Sequence, residues 1–449
     1  MMKMSVGRGG SPTSELQKHK MFSRENLVAL VLVTALFFLW GIPNNLNDVL
    51  IRQFMKSFAI TRFEAGLVQS AFYLGYFVLS MPAALLMRRF GYKTGLVTGL
   101  FLYAAGAFLF WPAALSQSYG FFLVGLFVIA SGLAFLETGA NPFIAQLGDP
   151  VAAERRLNFA QAFNPLGSIV GVLIGTTFIF SGIELNQHQI DALKVAKTYN
   201  SYLQHETMRV IMPYLVLGCV VILWAILIIR TKFPKVTGEE GEADTSNHGR
   251  FRDLLKYPHF MQAVLAQFFY VGAQVGTWSY FIQYVQDYVH GSEKTAGYFL
   301  TGTLVAFGVG RFAATYLMRF VEPNVLMGFY SLANVLLVAV GVLFPGWLGL
   351  WAIFLTSFFM SLMYPTIFAL GLRGLGPNTK IGGSLIVMGI VGGAVFTPLM
   401  GLVFGATMSM AKAMLVPLCC YVFIAYFAFI GSQMRPRIVE PQAGVAGAL

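Results

Sequence analysis

Residues Phe37 to Asp48 read FFLWGIPNNLND: an apolar entry, a proline, three amides and a carboxylate inside one hydrophobic run. An acid within a membrane-crossing helix is expensive, so it faces a bundle interior or a wet cavity and serves a purpose there. On a helix Trp40, Asn44 and Asp48 recur every four residues and share one face, with Asn45 and Asn47 beside it. An indole, amides and an acid on one stripe suit a small polar molecule and a proton.

Glu137 is the second such acid, deep in another apolar run, with Asn141 one turn on along the same face. Burial disfavours the charged form of a carboxyl, so an acid so placed can exchange its proton near neutral pH. Farther along, Gln267, Gln274 and Trp278 fall at spacings of seven and four, and Asn158, Gln161 and Asn164 at threes. Each set lies on one helical face. Aromatic faces pack on the C–H side of a pyranose while amides and carboxylates meet its hydroxyls, so the pattern points to a sugar. Such amides also hydrogen-bond neighbouring helices, for about 1 kcal/mol each. Tyr364, beside Pro365, is a further candidate, whereas Arg311 is read as structural.

These residues sit in a chain of 449 that is 57% hydrophobic and 11% charged. A soluble domain carries about a quarter charged residues, so this is a polytopic membrane protein. Spans need about 20 apolar residues. Twelve are expected, near 27–51, 63–87, 94–114, 120–147, 157–181, 209–231, 259–286, 295–318, 324–345, 347–371, 381–405 and 411–432. With both termini cytoplasmic, inner segments hold 21 Lys and Arg and outer ones 8, with Arg311 inside a span. That asymmetry sets the orientation. The formal charge of +11 is therefore a topology signal and not a nucleic-acid one. No cleavable signal peptide is visible in residues 1–26.

The polar stretch containing GEEGEADTSNHG divides the spans six and six. The expected organisation is a cytoplasmic tail 1–26, a half at 27–231, a linker 232–257, a half at 258–432 and a cytoplasmic tail 433–449. The halves resemble each other: FFLWG at 37–41 and FFYVG at 268–272 lie 231 apart, as do Arg88 and Arg319. Parallel six-helix repeats with a midplane site between them are a transporter architecture. The outer loop 181–208 is long and polar, and the sequence assigns it no role.

Other chemistries find no footing. No GxxxxGK[ST] occurs, so ATP has no cradle. No HExxH or CxxC occurs, and Cys219, Cys419 and Cys420 are read as small buried hydrophobes. Neither cofactor nor metal is expected, and no nucleophile–base pair suggests an enzyme. Gly167, Gly171 and Gly175, like the glycines at 382–393, are packing rows.

The blocks FFLWGIPNNLND, GLVQSAFYLGYF (66–77), GLFLYAAGAFLFWPAA (99–114), LETGANPFIAQLG (136–148), RLNFAQAFN (156–164), LAQFFYVGAQVGTWSY (265–280) and MYPTIFALGLRGLG (363–376) resemble the fucose–proton symporter family of the major facilitators. The match runs from the first span to the last. The resemblance implies an all-α membrane protein of twelve transmembrane helices in two pseudo-symmetric halves. It implies a monomeric sugar–proton symporter of the bacterial inner membrane, with L-fucose or a related deoxy-hexose as cargo. Glucose, galactose or N-acetylglucosamine are the alternatives within the family. It implies Asp48 and Glu137 as the coupling carboxylates, and Trp40, Asn45, Gln161, Trp278 and Tyr364 as cavity residues. Asn141, Gln267 and Gln274 join them from the stripes above. Two positions depart from the pattern. Arg88 stands where the superfamily's inner loop carries an acid, and Pro43 is placed to kink or unwind the first span.

Overall fold

The computed structural model describes residues 27–147, 159–161, 163–233, 254–318, 320–375 and 379–433. Most of the expected tails and linker, and Asn158, lie outside them. The described residues are helical throughout, with no strand among them. Eleven helices are long and apolar enough to cross a membrane. A twelfth, Pro258–Val289, has 32 residues but carries five glutamines that lower its hydropathy. Polarity that hides a span from a hydropathy count is the polarity a cavity needs.

In chain order the helices of the first half are α1 Leu27–Ser57, α2 Arg62–Met87, α3 Arg89–Leu115 and α4 Tyr119–Gln146. Next come α5 Phe163–Ile174, which ends in a π turn Gly175–Ile179, and α6 Gln187–Val195, α7 Tyr199–Met208 and α8 Ile211–Arg230. The second half runs α9 Pro258–Val289, α10 Glu293–Leu317, α11 Pro323–Leu343, α12 Trp347–Met360 and α13 Met363–Leu372. It closes with α14 Thr379–Met388, a 3-10 turn Gly389–Val391, α15 Gly392–Thr407, α16 Met410–Ala413 and α17 Leu415–Phe429. In the first turn of α3 the chain kinks at Gly91, whose φ of 83° suits glycine. The side chain of neighbouring Arg88 lies outside the described residues.

The helices pack into two units, Met1–Ile60 with Leu74–Glu242 and Thr61–Tyr73 with Ala243–Leu449. In the first, α1 lies directly on α5. A Cβ at Gly41, Gly167 or Gly171 would run into the carbonyl of Asn164, Phe38 or Ile42 respectively. Only glycine lets two backbones come this close, which is how helices without a hydrophobic drive between them gain contact. In the second unit α9 repeats the device. Gly272 lies under the Phe396 ring, and Gly392 lies on the Phe268 carbonyl. Gly41 and Gly272 are equivalent in the 231-residue repeat, so both copies cross their partner helix at the same rung.

Among the described residues Pro43, Pro82, Pro112 and Pro398 interrupt these helices and Pro365 stands in the first turn of α13. A proline leaves the carbonyl four residues earlier without its N–H, and three of these carbonyls are answered across helices. Helix α1 runs unbroken through Pro43, so the span is not unwound there. Tyr103 Oη of α3 donates to the freed Leu39 carbonyl at 3.1 Å. Pro398 of α15 frees Ala394, which accepts from Ser70 Oγ of α2 at 2.6 Å. Pro365 of α13 frees Ser361, and Arg311 Nε of α10 donates to it at 3.4 Å. Arg311 also lies 4.9 Å from the Phe307 ring centroid.

The cysteines correct one expectation. Cys420 is buried, but Cys219 and Cys419 are exposed on their helices. They share that surface with large apolar side chains such as Leu223, Val422 and Phe312. An apolar surface of this kind suits lipid, where a small thiol is as much at home as in a core.

Removing the Tyr103 or Ser70 hydroxyl leaves a buried carbonyl without its donor. Tyr103→Phe and Ser70→Ala should each cost about 1 kcal/mol of stability. A lower unfolding midpoint in detergent is the readout, and Tyr298→Phe, at an exposed ring, should leave it unchanged. Midpoints equal to wild type would mean that the freed carbonyls find another donor.

Candidate functional site

Helix α1 brings the first stripe together as its spacing requires. Asp48 is 2% exposed, and the Asn45 Nδ2 donates to its Oδ2 at 3.1 Å. Trp40 is buried, with its ring centroid 4.3 Å from that of Phe37. Asn47 is fully buried and its amide has no hydrogen-bond partner among the described residues; the Asn44 Oδ1 is in the same state. Buried amides are paired in most proteins, and an unpaired one costs about 1–3 kcal/mol. Two on one stretch mark a place built for something other than stability.

On α4, Glu137 and Asn141 are half-buried neighbours. The Asn141 Nδ2 donates to the Glu137 carbonyl at 3.1 Å, and Gln161 Nε2 donates to the Asn141 Oδ1 at 3.3 Å. A polar row therefore runs from α4 to the start of the fifth span. Asn164, one turn beyond Gln161, donates its Nδ2 to the Phe37 carbonyl at 3.3 Å and ties the row to α1. Gln161 and Asn141 thus stand together as predicted.

In the second unit Trp278 of α9 is buried and held at both ends. Its Nε1 donates to Ser357 Oγ at 2.9 Å, and its ring meets Phe307 edge-on at 5.2 Å. Ser357 in turn accepts from Thr303 Oγ1 at 2.6 Å. Such a chain fixes the rotamer of an indole, so its face has one direction to offer a ligand. Gln274 is half-buried one turn before Trp278 on the same face. Tyr364 is half-buried, its ring centroid 6.2 Å from that of Tyr270. Arg311 lies within electrostatic reach of both tyrosines.

Gln267 is placed differently from its neighbours on the stripe. It is fully buried, its Cβ is 3.2 Å from where a Cβ on Gly389 would stand, and both amide atoms lack a partner among the described residues. It therefore looks onto the 3-10 break between α14 and α15.

Sequence reasoning missed the residues that position the indole. Thr303 and Ser357 come from separate spans, so no spacing joins them to Trp278. It also missed Gln69 of α2, buried in the second unit, whose Nε2 donates to Ser279 Oγ at 2.9 Å next to Trp278. A cavity of about 190 Å³ is lined by Ser57, Phe58, Gln117, Asn200, Leu203 and Thr207, none of them a predicted site residue. No group of three His, Cys, Asp or Glu among the described residues could hold a metal ion.

The sequence profile of the Major Facilitator Superfamily matches residues 28–398. The L-fucose-proton symporter of Escherichia coli K12 is 43% identical over 418 residues, covering 92% of this chain and 94% of that protein. A putative glucose/galactose transporter of Helicobacter pylori J99 is 36% identical over 92% of this chain and 99% of its own length. Among solved structures, the major facilitator transporter FucP in its outward conformation superposes with a TM-score of 0.69 at 42% identity, over 92% of this chain and 100% of that one. A D-xylose-proton symporter superposes with a TM-score of 0.66 at 12% identity over 90% and 97%, a likeness of fold alone. With a superfamily profile over most of the chain and identity above 40% across nearly all of it, this multi-pass membrane protein belongs to the fucose–proton symporter family of the major facilitator superfamily.

Proposed function

We propose that this chain is a proton-coupled symporter that imports L-fucose, or a closely related deoxy-hexose, by alternating access. The observation that carries the reading is Asp48, a carboxyl almost without exposure that receives the amide of Asn45 in an apolar helix. A carboxyl buried in an apolar span is costly as an anion, and such residues mark proton relays in transporters. In this reading Asp48 is protonated from the outer side and releases α1 for closure. Glu137, backed by Asn141 and Gln161, takes the coupled proton or the sugar's hydroxyls deeper in.

Trp40 and Trp278 supply apolar faces for the pyranose ring, and Asn45, Gln161, Gln274 and Tyr364 its polar contacts. Asn141 and Gln267 back them. Orientation rests on the charge asymmetry of the loops, with both termini in the cytoplasm and the protein a monomer in the bacterial inner membrane. The relative named for L-fucose is more similar than the one named for glucose and galactose, at 43% against 36% identity. That ordering favours the deoxy sugar, and galactose or glucose is the second reading.

Pulses of L-fucose, galactose, glucose and N-acetylglucosamine into a lightly buffered, de-energised suspension of expressing cells distinguish the two. External alkalinisation on L-fucose alone is expected. Alkalinisation on another sugar keeps the mechanism and moves the substrate. Labelled sugar entering with no pH change would remove proton coupling altogether.

For the carboxylates, Asp48→Asn should lower uphill accumulation at least tenfold, about 1.4 kcal/mol or more, while still exchanging labelled for unlabelled sugar. Glu137→Gln should reduce both uphill uptake and sugar binding. Normal uphill uptake by Asp48→Asn, measured per molecule in the membrane, would strip Asp48 of its role.

A further inference from the structure

The loop 181–208, which has no role assigned from sequence, is built together with Arg209 onto the same helix that carries Asp48. Helix α6 opens on a capping box between Asn186 and Gln189 and buries nothing. Helix α7 buries only its last two residues, Glu206 and Thr207. Glu206 is 1% exposed, and its Oε2 lies 3.2 Å from Lys56 Nζ, which is also nearly buried. Gln53 Nε2 donates to the Glu206 carbonyl at 2.8 Å and to its Oε2 at 3.2 Å. Lys56 Nζ donates in addition to Ser181 Oγ at 2.6 Å, at the other end of the segment. Arg209 closes the base, donating from Nε to the Ile179 carbonyl at 2.7 Å and from Nη2 to the Phe180 carbonyl at 3.0 Å. These are carbonyls that the end of the fifth span leaves without N–H donors.

The attachment has a direction. Asp48, Arg52 and Lys56 stand at i, i+4 and i+8, so they share one face of α1. Each of the two cations is met by an acid of this one segment, Arg52 by Glu184 at 3.9 Å and Lys56 by Glu206. Arg52 is one turn from Asp48 and mostly shielded; Glu184 is a loose partner near the surface, and Glu206 a tight one inside. A buried ion pair whose partner is removed leaves a charge that the surroundings must rearrange to meet. The helix that would rearrange is α1, and Asp48 stands two turns from Lys56 on the same face, one turn beyond Arg52.

We propose that Glu206 is a positioning residue for transport: through Lys56 and Gln53 it clamps the end of α1 to the 181–209 segment and sets the height and rotation of the rung that carries Asp48. Glu206 touches neither sugar nor proton. Its effect reaches the reaction through α1, and this rests on the proton-symport reading above.

The test compares two rates per molecule, uphill L-fucose accumulation and energy-independent exchange of labelled L-fucose, in Glu206→Gln, Lys56→Glu and the reversed pair Lys56→Glu with Glu206→Lys. A clamp on the proton step predicts that Glu206→Gln loses at least tenfold in uphill accumulation and less than threefold in exchange, and moves fewer protons per sugar in the pH assay. The reversed pair should recover to within about threefold of wild type in both rates. Equal losses in exchange and uphill rates would mean a merely structural pair and overturn the proposal, as would wild-type coupling in Glu206→Gln. If Glu206→Gln fails to reach the membrane, the reversed pair decides: assembly without recovered coupling overturns the proposal. A wild-type protein that moves no protons would instead sink the symport reading itself, a result the pH pulses report independently of any variant.

Discussion

Backbone polar groups in a bilayer have no water to turn to, so every carbonyl that a proline frees must find a donor within the protein. Three such carbonyls are answered across helices here, Leu39 by Tyr103, Ala394 by Ser70 and Ser361 by Arg311. Much of the packing follows from those pairings. Tyr103 is fully buried to reach α1, which fixes α3 against it. Ser70 draws 61–73 into the second unit, where Gln69 meets Ser279 and the Arg62 guanidinium makes a two-pronged pair with Asp287 at 2.7 and 2.8 Å. A break in one helix thus becomes a bond between two.

The same requirement gives Arg311 its place. A guanidinium in an apolar span is costly and ordinarily signals a carboxylate partner or a pathway. Here a proline-freed carbonyl and the face of Phe307 take that part. The neighbouring indole is held by hydroxyls alone, Trp278 to Ser357 to Thr303. The second unit therefore presents aromatic rings fixed by polar groups that are themselves satisfied. The first presents amides, at Asn44 and Asn47, that are not.

Helix periodicity made most of this legible. Spacings of three, four and seven put Asn45 beside Asp48, Asn141 beside Glu137 and Gln274 beside Trp278, because contacts along one helix depend on sequence separation alone. The glycine rows were readable for the same reason, and the 231-residue repeat located Gly272 from Gly41. Contacts between helices were not readable. Nothing in the order of residues says that Tyr103 serves Leu39, or that Thr303 and Ser357 hold an indole far from either in sequence. At Pro43 a kink and an unwinding were equally open, because the sequence shows the lost N–H but not the donor that replaces it. Gln267 shared a stripe with Trp278, yet its rung faces the break before α15.

The outer loop was the most opaque stretch, and the reason is again physical. Its helices are short and polar, so periodicity signals a surface segment. What ties it down is one carboxylate, and a Glu in a polar loop looks like any other. Its burial becomes visible only when Lys56 and Gln53 are known to stand opposite it. Two acids in apolar runs could be found by their cost; Glu206, as inaccessible as Asp48, was disguised by its neighbours. The general consequence is that hydropathy finds charges that a membrane makes expensive, and overlooks those that a loop delivers to a helix end already paired. Such a pair sits eight residues from Asp48 here, so the loop is anchored on the same helix face that carries that buried acid.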